Sequence, residues 1–398
     1  MKKYLPFIIG FVFSQLVVFP QGCLPEGITF TTQYEVDLFQ INYPGCTDIE
    51  GNVIISGADI ANLDGLGVLH SIGGNLRIEQ NNSLANLQGL DNLSHINGDL
   101  IIGDIVWGQY PFSTGNPLLT SLAGLNSLVF IQGSFKLCGN YSLVTLSGLE
   151  HLAHIRGNLQ LGGIEFVYGF TFGNPLLVNL TGLTRLTAIG GSLFVAGNSN
   201  LADLSGLDSL VTTGQHCWFD LNESLTSLHG LDRLTSIGGS LKIRWNIALS
   251  DISGLEHIAS QSIQELEIIY NQTLAECSIE SICGYLAEPG GTVEIHDNAT
   301  GCNSPEDVEA ACNEVSTESI GLEEEFLIFP NPAGKTVTIS GNNGKAIREI
   351  IIYNQTGQKV LQGKPVNNTL DISKLRPGMY IVEMVTNHGN LRKKLIVQ

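Results

Sequence analysis

A Gly-Leu dipeptide that returns at nearly constant intervals is the strongest constraint on the fold of this chain. Its glycines are Gly65, Gly89, Gly124, Gly148, Gly182, Gly206, Gly230 and Gly254, at spacings of 24, 35, 24, 34, 24, 24 and 24 residues. A repeat of this length forms one structural unit that buries its apolar face only by stacking on neighbouring units. Residues 63–274 therefore predict a solenoid of about eight turns, two of them carrying insertions of about ten residues.

Two positions of the repeat predict its local structure. Leu-x-Ile elements such as Leu76–Ile78 and Leu241–Ile243 alternate inward and outward residues, as short parallel strands do. An asparagine also falls once in each turn, where its side chain can bond backbone amides and the stacked copies of itself. We expect a buried ladder of Asn81, Asn116, Asn140, Asn174, Asn198, Asn222, Asn246 and Asn271.

This pattern resembles leucine-rich repeats and, more closely, the receptor L domain of receptor ectodomains and bacterial surface proteins. The resemblance covers about residues 23–312. It implies a mainly β fold, a right-handed parallel β-solenoid with an N-terminal cap at 23–62 and a Cys-rich cap at 275–315. The elements expected in these caps are a helix at Thr31–Ile41, a first strand within Cys46–Ile55, and helices at Ser278–Leu286 and Pro305–Cys312.

The N-terminus and the cysteines indicate export. Lys2 and Lys3 precede an apolar run that is short for a membrane span, so residues 1–22 predict a signal peptide, with no transmembrane segment in the mature protein. Eight cysteines in an exported chain suggest disulfides. We expect Cys23 to pair with Cys46, although Cys23 is also a weak candidate for lipidation. Cys277, Cys283, Cys302 and Cys312 allow three pairings, of which we favour 277–302 with 283–312, and Cys138 and Cys217 are expected to stay unpaired.

A different pattern begins after an acidic linker at 316–325. Residues 326–398 contain about seven short alternating strands, which predict a small antiparallel β-sandwich. They resemble the C-terminal sorting domain of the type IX secretion system of Bacteroidetes. The residues that carry the resemblance are Pro330, Asn331, Pro332, Asp371, Leu375, Gly378 and Tyr380. The resemblance implies export by that machinery to the outer cell surface or the medium; the alternative is an ordinary immunoglobulin-like binding module.

The repeat register predicts which side chains share the outer face of the strands. One row is Arg77, Ile101, Lys136, Gln160, Phe194, Trp218, Lys242 and Glu267, and the next is Glu79, Gly103, Cys138, Gly162, Ala196, Asp220, Arg244 and Ile269. Neither row holds adjacent carboxylates of the kind that glycosidases use. Asp220 beside Arg244 indicates a surface ion pair. His95 and His154 lie two turns apart, about 10 Å at strand spacing, so we expect no metal and no cofactor.

Aromatic residues are the best candidates for ligand contact. Phe194 and Trp218 should be outward neighbours beside Lys242 and Arg244. The insertions 103–115 and 162–173 should project side by side. They contribute Trp107, Tyr110, Phe112, Phe166, Tyr168, Phe170 and Phe172. Exposed aromatics are typical of recognition surfaces, although these rings could equally pack on each other.

Net charge narrows the range of partners. With a net charge of −19 the chain lacks the basic footprint of nucleic-acid binding. We expect a secreted or cell-surface, non-catalytic binding or adhesion protein for a glycan or a protein. The alternatives are a structural coat protein without a specific ligand and a β-helix polysaccharide-degrading enzyme.

Overall fold

Two parallel β-sheets run along the repeats: seven turns of the chain add one strand to each sheet, and the other turns add a strand to the longer sheet alone. The computed structural model describes residues 22–108, 110–165, 170–313, 326–341, 347–354, 357–364, 369–386 and 389–398. The chain divides into two compact units, Met1–Glu309 and Ala310–Gln398. The proposed signal peptide and linker lie outside the described residues, apart from Gly22.

The longer sheet forms the face that carries the two predicted rows. It has eleven parallel strands. They are Ile28–Phe30, Val53–Ile55, Leu76–Ile78, Leu100–Ile102, Phe135–Leu137, Leu159–Gly162, Leu193–Ala196, Cys217–Asp220, Ser240–Arg244, Glu265–Ile269 and Val293–His296. Leucine, isoleucine and phenylalanine at alternate positions point inward and are almost fully buried. The predicted parallel solenoid is confirmed.

The shorter sheet holds seven parallel two-residue strands. They are Asp48–Ile49, Ser71–Ile72, His95–Ile96, Phe130–Ile131, His154–Ile155, Ala188–Ile189 and Thr212–Thr213. His95 and His154 flank Phe130 in register, so they are two turns apart as the period predicts. Between the sheets the chain bends through the Gly-Leu dipeptides. At Gly124, where φ is +116°, a Cβ atom would overlap the carbonyl group of Leu87 in the preceding turn. Glycine is therefore required there.

The solenoid extends beyond the repeats at both ends. Sequence analysis placed the first strand within Cys46–Ile55, but Ile28–Phe30 precedes it and pairs with Val53–Ile55. The predicted N-terminal helix is split at Leu38 into Gln33–Asp37 and Phe39–Asn42. In the C-terminal cap the helices Glu280–Ala287 and 305–313 agree with prediction, while Val293–His296 adds an unpredicted last strand. Short 3₁₀ turns are Asp64–Leu66, Thr181–Leu183, Ser253–Leu255 and Ser260–Ser262.

The asparagine ladder is continuous through all eight predicted residues, and each is fully buried. In Asn198, for example, Nδ2 donates to the carbonyl of Leu161 at 2.9 Å and to Oδ1 of Asn222 at 3.4 Å. Its own Oδ1 accepts from the backbone N–H of Asn174 at 3.0 Å. The ladder ends one turn later than predicted, at Asn298, which accepts from Asn271 and donates to the carbonyl of Cys302.

The cysteines divide between the caps and the interior. Cys23 is bonded to Cys46 and Cys277 to Cys302, the pairings favoured from sequence. Cys283 and Cys312 are the other two disulfide-bonded cysteines. Cys138 and Cys217 are free, buried thiols three turns apart; Cys138 directly follows the strand Phe135–Leu137, and Cys217 begins the strand Cys217–Asp220. Burial raises the pKa of each of these two thiols to about 12.

The C-terminal unit is an antiparallel β-sandwich with the seven strands that the sequence predicts. Its sheets contain three and four strands: Phe326–Phe329, Thr336–Gly341 and Thr369–Asp371 in one, and Ile347–Tyr353, Lys359–Gly363, Gly378–Thr386 and Gly389–Val397 in the other. Three of the motif residues have structural roles. Asn331 donates to the carbonyl of Lys394 and accepts from Ile396 N, both at 2.8 Å. The Tyr380 hydroxyl donates to Arg376 O, and Asp371 accepts from Ser373 N.

Among the helices of the described residues, none combines the length and the apolar character that crossing a membrane requires.

Removing one ladder asparagine should destabilise the solenoid strongly. In the Asn198→Ala variant the buried Leu161 carbonyl and Asn174 N–H lose their partners, and each such loss costs about 1–3 kcal/mol. We expect a loss of about 3 kcal/mol, measured by denaturant unfolding monitored by circular dichroism. Asn92→Ala is the control, because its exposed side chain makes a single bond to Gly67 O and should cost under about 1 kcal/mol. Equal losses in the two variants would contradict a ladder role.

The free thiols should be unreactive in the folded protein. A thiol reacts as its thiolate, and burial disfavours the charged form, so neither Cys138 nor Cys217 should react with Ellman's reagent at pH 8. After denaturation without a reductant, two thiols per chain should react. Detection of either thiol in the native protein would show that the surrounding turns open readily.

Candidate functional site

The candidate site lies on the outer face of the longer sheet, where the predicted register is confirmed. Phe194 is paired with Trp218, and Trp218 with Lys242, on successive strands. Two positions further along, Asp220 is paired with Arg244. The Phe194 and Trp218 rings meet edge to face, with centroids 5.0 Å apart, and both are half-buried. Four of the predicted residues are therefore neighbours on three turns.

The two insertions form β-hairpins that lie over this face. The first pairs Ile105–Val106 with Phe112–Ser113, and the second pairs Ile164–Glu165 with Phe170–Thr171. Ile105 and Phe172 pack with Cys138 of the intervening turn in one buried cluster. The prediction that the insertions project side by side over that turn is confirmed.

Part of the second row is buried instead of exposed. Sequence analysis placed Cys138, Ala196, Asp220 and Ile269 on the outside, but all four are buried. For Cys138 the cause is plain, since both hairpins contribute side chains that cover it.

The aromatic side chains of the insertions have divided roles. Trp107, Tyr110, Phe112 and Phe170 are exposed. Phe172 is buried, so for this ring the packing interpretation is correct. It contacts Trp107 edge to face at 6.4 Å between centroids. Phe166 and Tyr168 lie outside the described residues.

A network of ion pairs fixes the base of the first hairpin. Asp104 accepts from Lys136 at 2.8 Å and from Arg77 at 3.3 Å, and Arg77 also pairs with Glu79 at 2.9 Å. Although burial opposes it, the hydrogen bond and charge of Lys136 hold the pKa of Asp104 below its usual value. The carboxylate of Glu79 accepts from the Thr114 hydroxyl at 3.0 Å. The hairpin is thus tied to strands on both sides of it, which holds Trp107 over the sheet.

A pocket of about 220 Å³ opens between the hairpins and the strands. Its lining is Trp107, Gln160, Gly162, Gly163, Ile164, Phe194, Ala196, Trp218, Asp220 and Arg244. Sequence analysis selected Trp107, Phe194, Trp218 and Arg244 as ligand contacts, and the structure brings these four together. Tyr110, Phe112, Phe170, Phe172 and Lys242 do not line this pocket.

The charged groups beside the pocket neutralise one another. Asp220 accepts two hydrogen bonds from Arg244, at 2.8 and 2.7 Å. Glu267 accepts from Lys242 at 2.8 Å and from Arg244 at 3.5 Å. The predicted Asp220–Arg244 pair exists, but it is buried rather than on the surface. Burial raises the pKa of Asp220 against the opposing effect of Arg244.

One polar atom at the pocket has no partner. The indole Nε1 of Trp218 is buried and makes no hydrogen bond within the part of the chain that the structure describes. The ring itself is well packed, with Lys242 Nζ 5.4 Å and the Arg244 guanidinium 5.7 Å from the ring centroid. A buried donor without an acceptor costs about 1–3 kcal/mol, and native structures contain few of them.

Sequence analysis missed a second group of rings next to this site. Trp245 and Tyr270 stack with centroids 5.4 Å apart and planes 6° from parallel, and the Arg244 guanidinium lies 5.5 Å from the Trp245 centroid. Both residues have positive φ, at +54° and +59°. Each directly precedes a ladder asparagine, a place that Gly139 and Gly197 fill in other turns at +66° and +71°. In the sequence, an aromatic residue directly before a ladder asparagine, where other turns have glycine, is the signal that could have identified this group of rings.

Comparison with known families agrees with the two-part architecture. Residues 45–106 match the receptor L domain, and residues 327–398 match the secretion system C-terminal sorting domain. The search of curated proteins found no match. The chain thus carries a receptor L-domain solenoid and a sorting domain, which indicates secretion to the cell surface or the exterior by the type IX machinery.

Replacing Arg244 should lower the stability of the fold, because it leaves the buried Asp220 carboxylate without its charge partner. In Arg244→Met the charge stays buried without its bidentate partner, which typically costs about 3–5 kcal/mol at pH 7. Because burial raises the folded-state pKa of Asp220 above its unfolded value, the folded variant takes up a proton as the pH falls. The stability difference from wild type, measured by denaturant unfolding, should therefore be smaller at pH 4.5 than at pH 7.

The double variant Asp220→Asn, Arg244→Met removes both charges and should recover much of the lost stability. A penalty that is unchanged by pH and by the second substitution would mean that Arg244 acts only through its packing on Trp218 and Trp245.

Proposed function

We propose that this exported L-domain chain is a non-catalytic binding protein whose ligand occupies the pocket between the two hairpins and the long sheet. The observation that carries the proposal is a pocket in which side chains of the hairpins and of the long sheet meet, with the aromatic rings of Trp107, Phe194 and Trp218 in its walls and Asp220 and Arg244 beside them. A few directed polar groups in a mostly apolar recess are typical of ligand sites.

The pocket also supports binding over catalysis. A catalytic carboxylate must be able to exchange a proton or attack the substrate. Here Asp220 and Glu267 are both engaged by Arg244, and Glu267 is engaged by Lys242 as well. The carboxylates are therefore held as charge partners, and we infer that the ligand leaves this pocket unchanged.

The test is binding of the full-length exported chain to arrays of glycans and surface proteins, with Trp107→Ala beside the wild type. Trp107 is exposed on its hairpin and lines the pocket, so its removal should abolish a specific hit with little effect on folding. Tyr34→Ala is the matched control, because Tyr34 is an exposed aromatic residue on the N-terminal cap helix. Its hits should equal those of the wild type.

The competing functions predict other results. A structural coat protein would give no specific hit and would self-associate, which light scattering would detect. A polysaccharide-degrading enzyme would shorten an arrayed glycan, and the products would appear by mass spectrometry. A hit that survives Trp107→Ala would place binding elsewhere on the chain.

A further inference from the structure

A second ladder of polar side chains runs along the long sheet, at the position directly before the first inward-facing residue of each strand. Its side chains accept a hydrogen bond from the backbone N–H of the same position one turn later. Asn158 Oδ1, for example, accepts from Ser192 N at 2.8 Å, and Ser192 Oγ accepts from His216 N at 3.3 Å. The members of this second ladder are Asn52, Asn75, Asp99, Ser134, Asn158, Ser192, His216 and Ser240.

His216 is the one member of this second ladder whose acceptor a proton can remove. Its Nδ1 lies 2.9 Å from the backbone nitrogen of Ser240. Because a backbone N–H can only donate, Nδ1 carries a lone pair, and the neutral ring has its proton on Nε2. In the protonated ring both nitrogens are donors, so this bond is lost. Asparagine and serine do not titrate in this way, and a protonated Asp99 would still have an oxygen that accepts.

We propose that the step from the His216 turn to the Ser240 turn is a pH-sensitive joint of the solenoid, closed while His216 is neutral and weakened when His216 is protonated. This inference goes beyond the proposed function, since the joint works in the same way whether or not the pocket binds a ligand.

The surroundings of the joint give the lost bond its effect. Ser240 is only 4% exposed, so water has little access to its N–H as a replacement partner. A buried donor without an acceptor destabilises the folded state. The half-buried His216 ring also contacts the Trp218 ring, with centroids 5.3 Å apart, and Trp218 lines the pocket. Opening of the joint would therefore alter the environment of one pocket wall.

Charged groups approach His216 from one side of the sheet. The preceding strand, Leu193–Ala196, carries none. The charged residues on its own strand and on the two that follow are Asp220, Lys242, Arg244, Glu265 and Glu267. They are engaged with each other, and the Glu265 carboxylate accepts from the Ser240 hydroxyl at 2.8 Å. All of them stay in place when His216 alone is replaced, so their own titration cancels in a comparison with such a variant.

The stability of the solenoid should consequently fall with the pH. A histidine in an unfolded chain takes up a proton near pH 6.5 or so, at about its ordinary pKa. In the folded chain the bond from Ser240 N favours the neutral ring. Below this pH the unfolded state binds more protons than the folded state, and the free energy of unfolding decreases.

His216→Asn is the matched variant, because asparagine fills the same position in three other turns and cannot take up this proton. All three tryptophans belong to the solenoid unit, so their fluorescence follows its thermal unfolding within the full-length chain. Between pH 7.5 and pH 5.5 the midpoint of unfolding of the wild type should fall by about 2–4 °C more than that of His216→Asn. Equal decreases in the two proteins would overturn the proposal.

Hydrogen exchange at the Ser240 amide provides the local readout. Its protection factor, measured by nuclear magnetic resonance, should drop at pH 5.5 in the wild type and stay high in His216→Asn. His216→Ala removes the acceptor at every pH, so its Ser240 amide should already exchange faster at pH 7.5. If the Ser240 amide of the wild type is as well protected at pH 5.5 as that of His216→Asn, the joint does not open on protonation and the inference is wrong.

Discussion

The buried amide of one asparagine per turn is the interaction on which the rest of the solenoid depends. Each Nδ2 group donates to a strand carbonyl of the preceding turn. From Asn116 onward each Oδ1 accepts from the preceding asparagine, and the Oδ1 of Asn81 accepts from Gly57 N. The side chain has the two donors and the acceptor that this geometry needs, and no apolar residue could replace it. The ladder therefore fixes how each turn is placed on the one before it, and with it the rows of side chains on the outer face.

The hairpins add a pocket without disturbing that ladder. Both insertions leave the strand through a glycine with positive φ, Gly103 at +70° and Gly162 at +81°, and rejoin the coil just before a ladder residue. Asn116 and Asn174 remain buried and bonded to their neighbours on both sides. The insertions thus cover part of the sheet with loops, while the strands beneath them keep the positions that the repeat dictates.

Periodicity explains what could be predicted from the sequence. The pairings of Phe194 with Trp218 and of Asp220 with Arg244 follow from a 24-residue period, and the structure has them. The strands Ile28–Phe30 and Val293–His296 lie outside the repeats, and no periodic signal marks them. The pocket depends on how the hairpins fold over the sheet, which spacing alone does not specify. The lack of a hydrogen-bond partner for the buried Trp218 indole N–H can be recognised only in the folded structure.

The positions of the disulfides have a consequence for how such an array resists attack. In a linear stack each turn contacts only its neighbours, so opening is easiest at the two ends, where a turn has one neighbour instead of two. Cys23–Cys46 lies at the first of these ends and Cys277–Cys302 at the other. Covalent links there keep the end turns attached when they open. An extracellular protease would therefore cleave these ends less readily than the frayed ends of a repeat protein without such links. The free thiols, by contrast, are in the middle of the stack, where neighbouring turns already hold the chain.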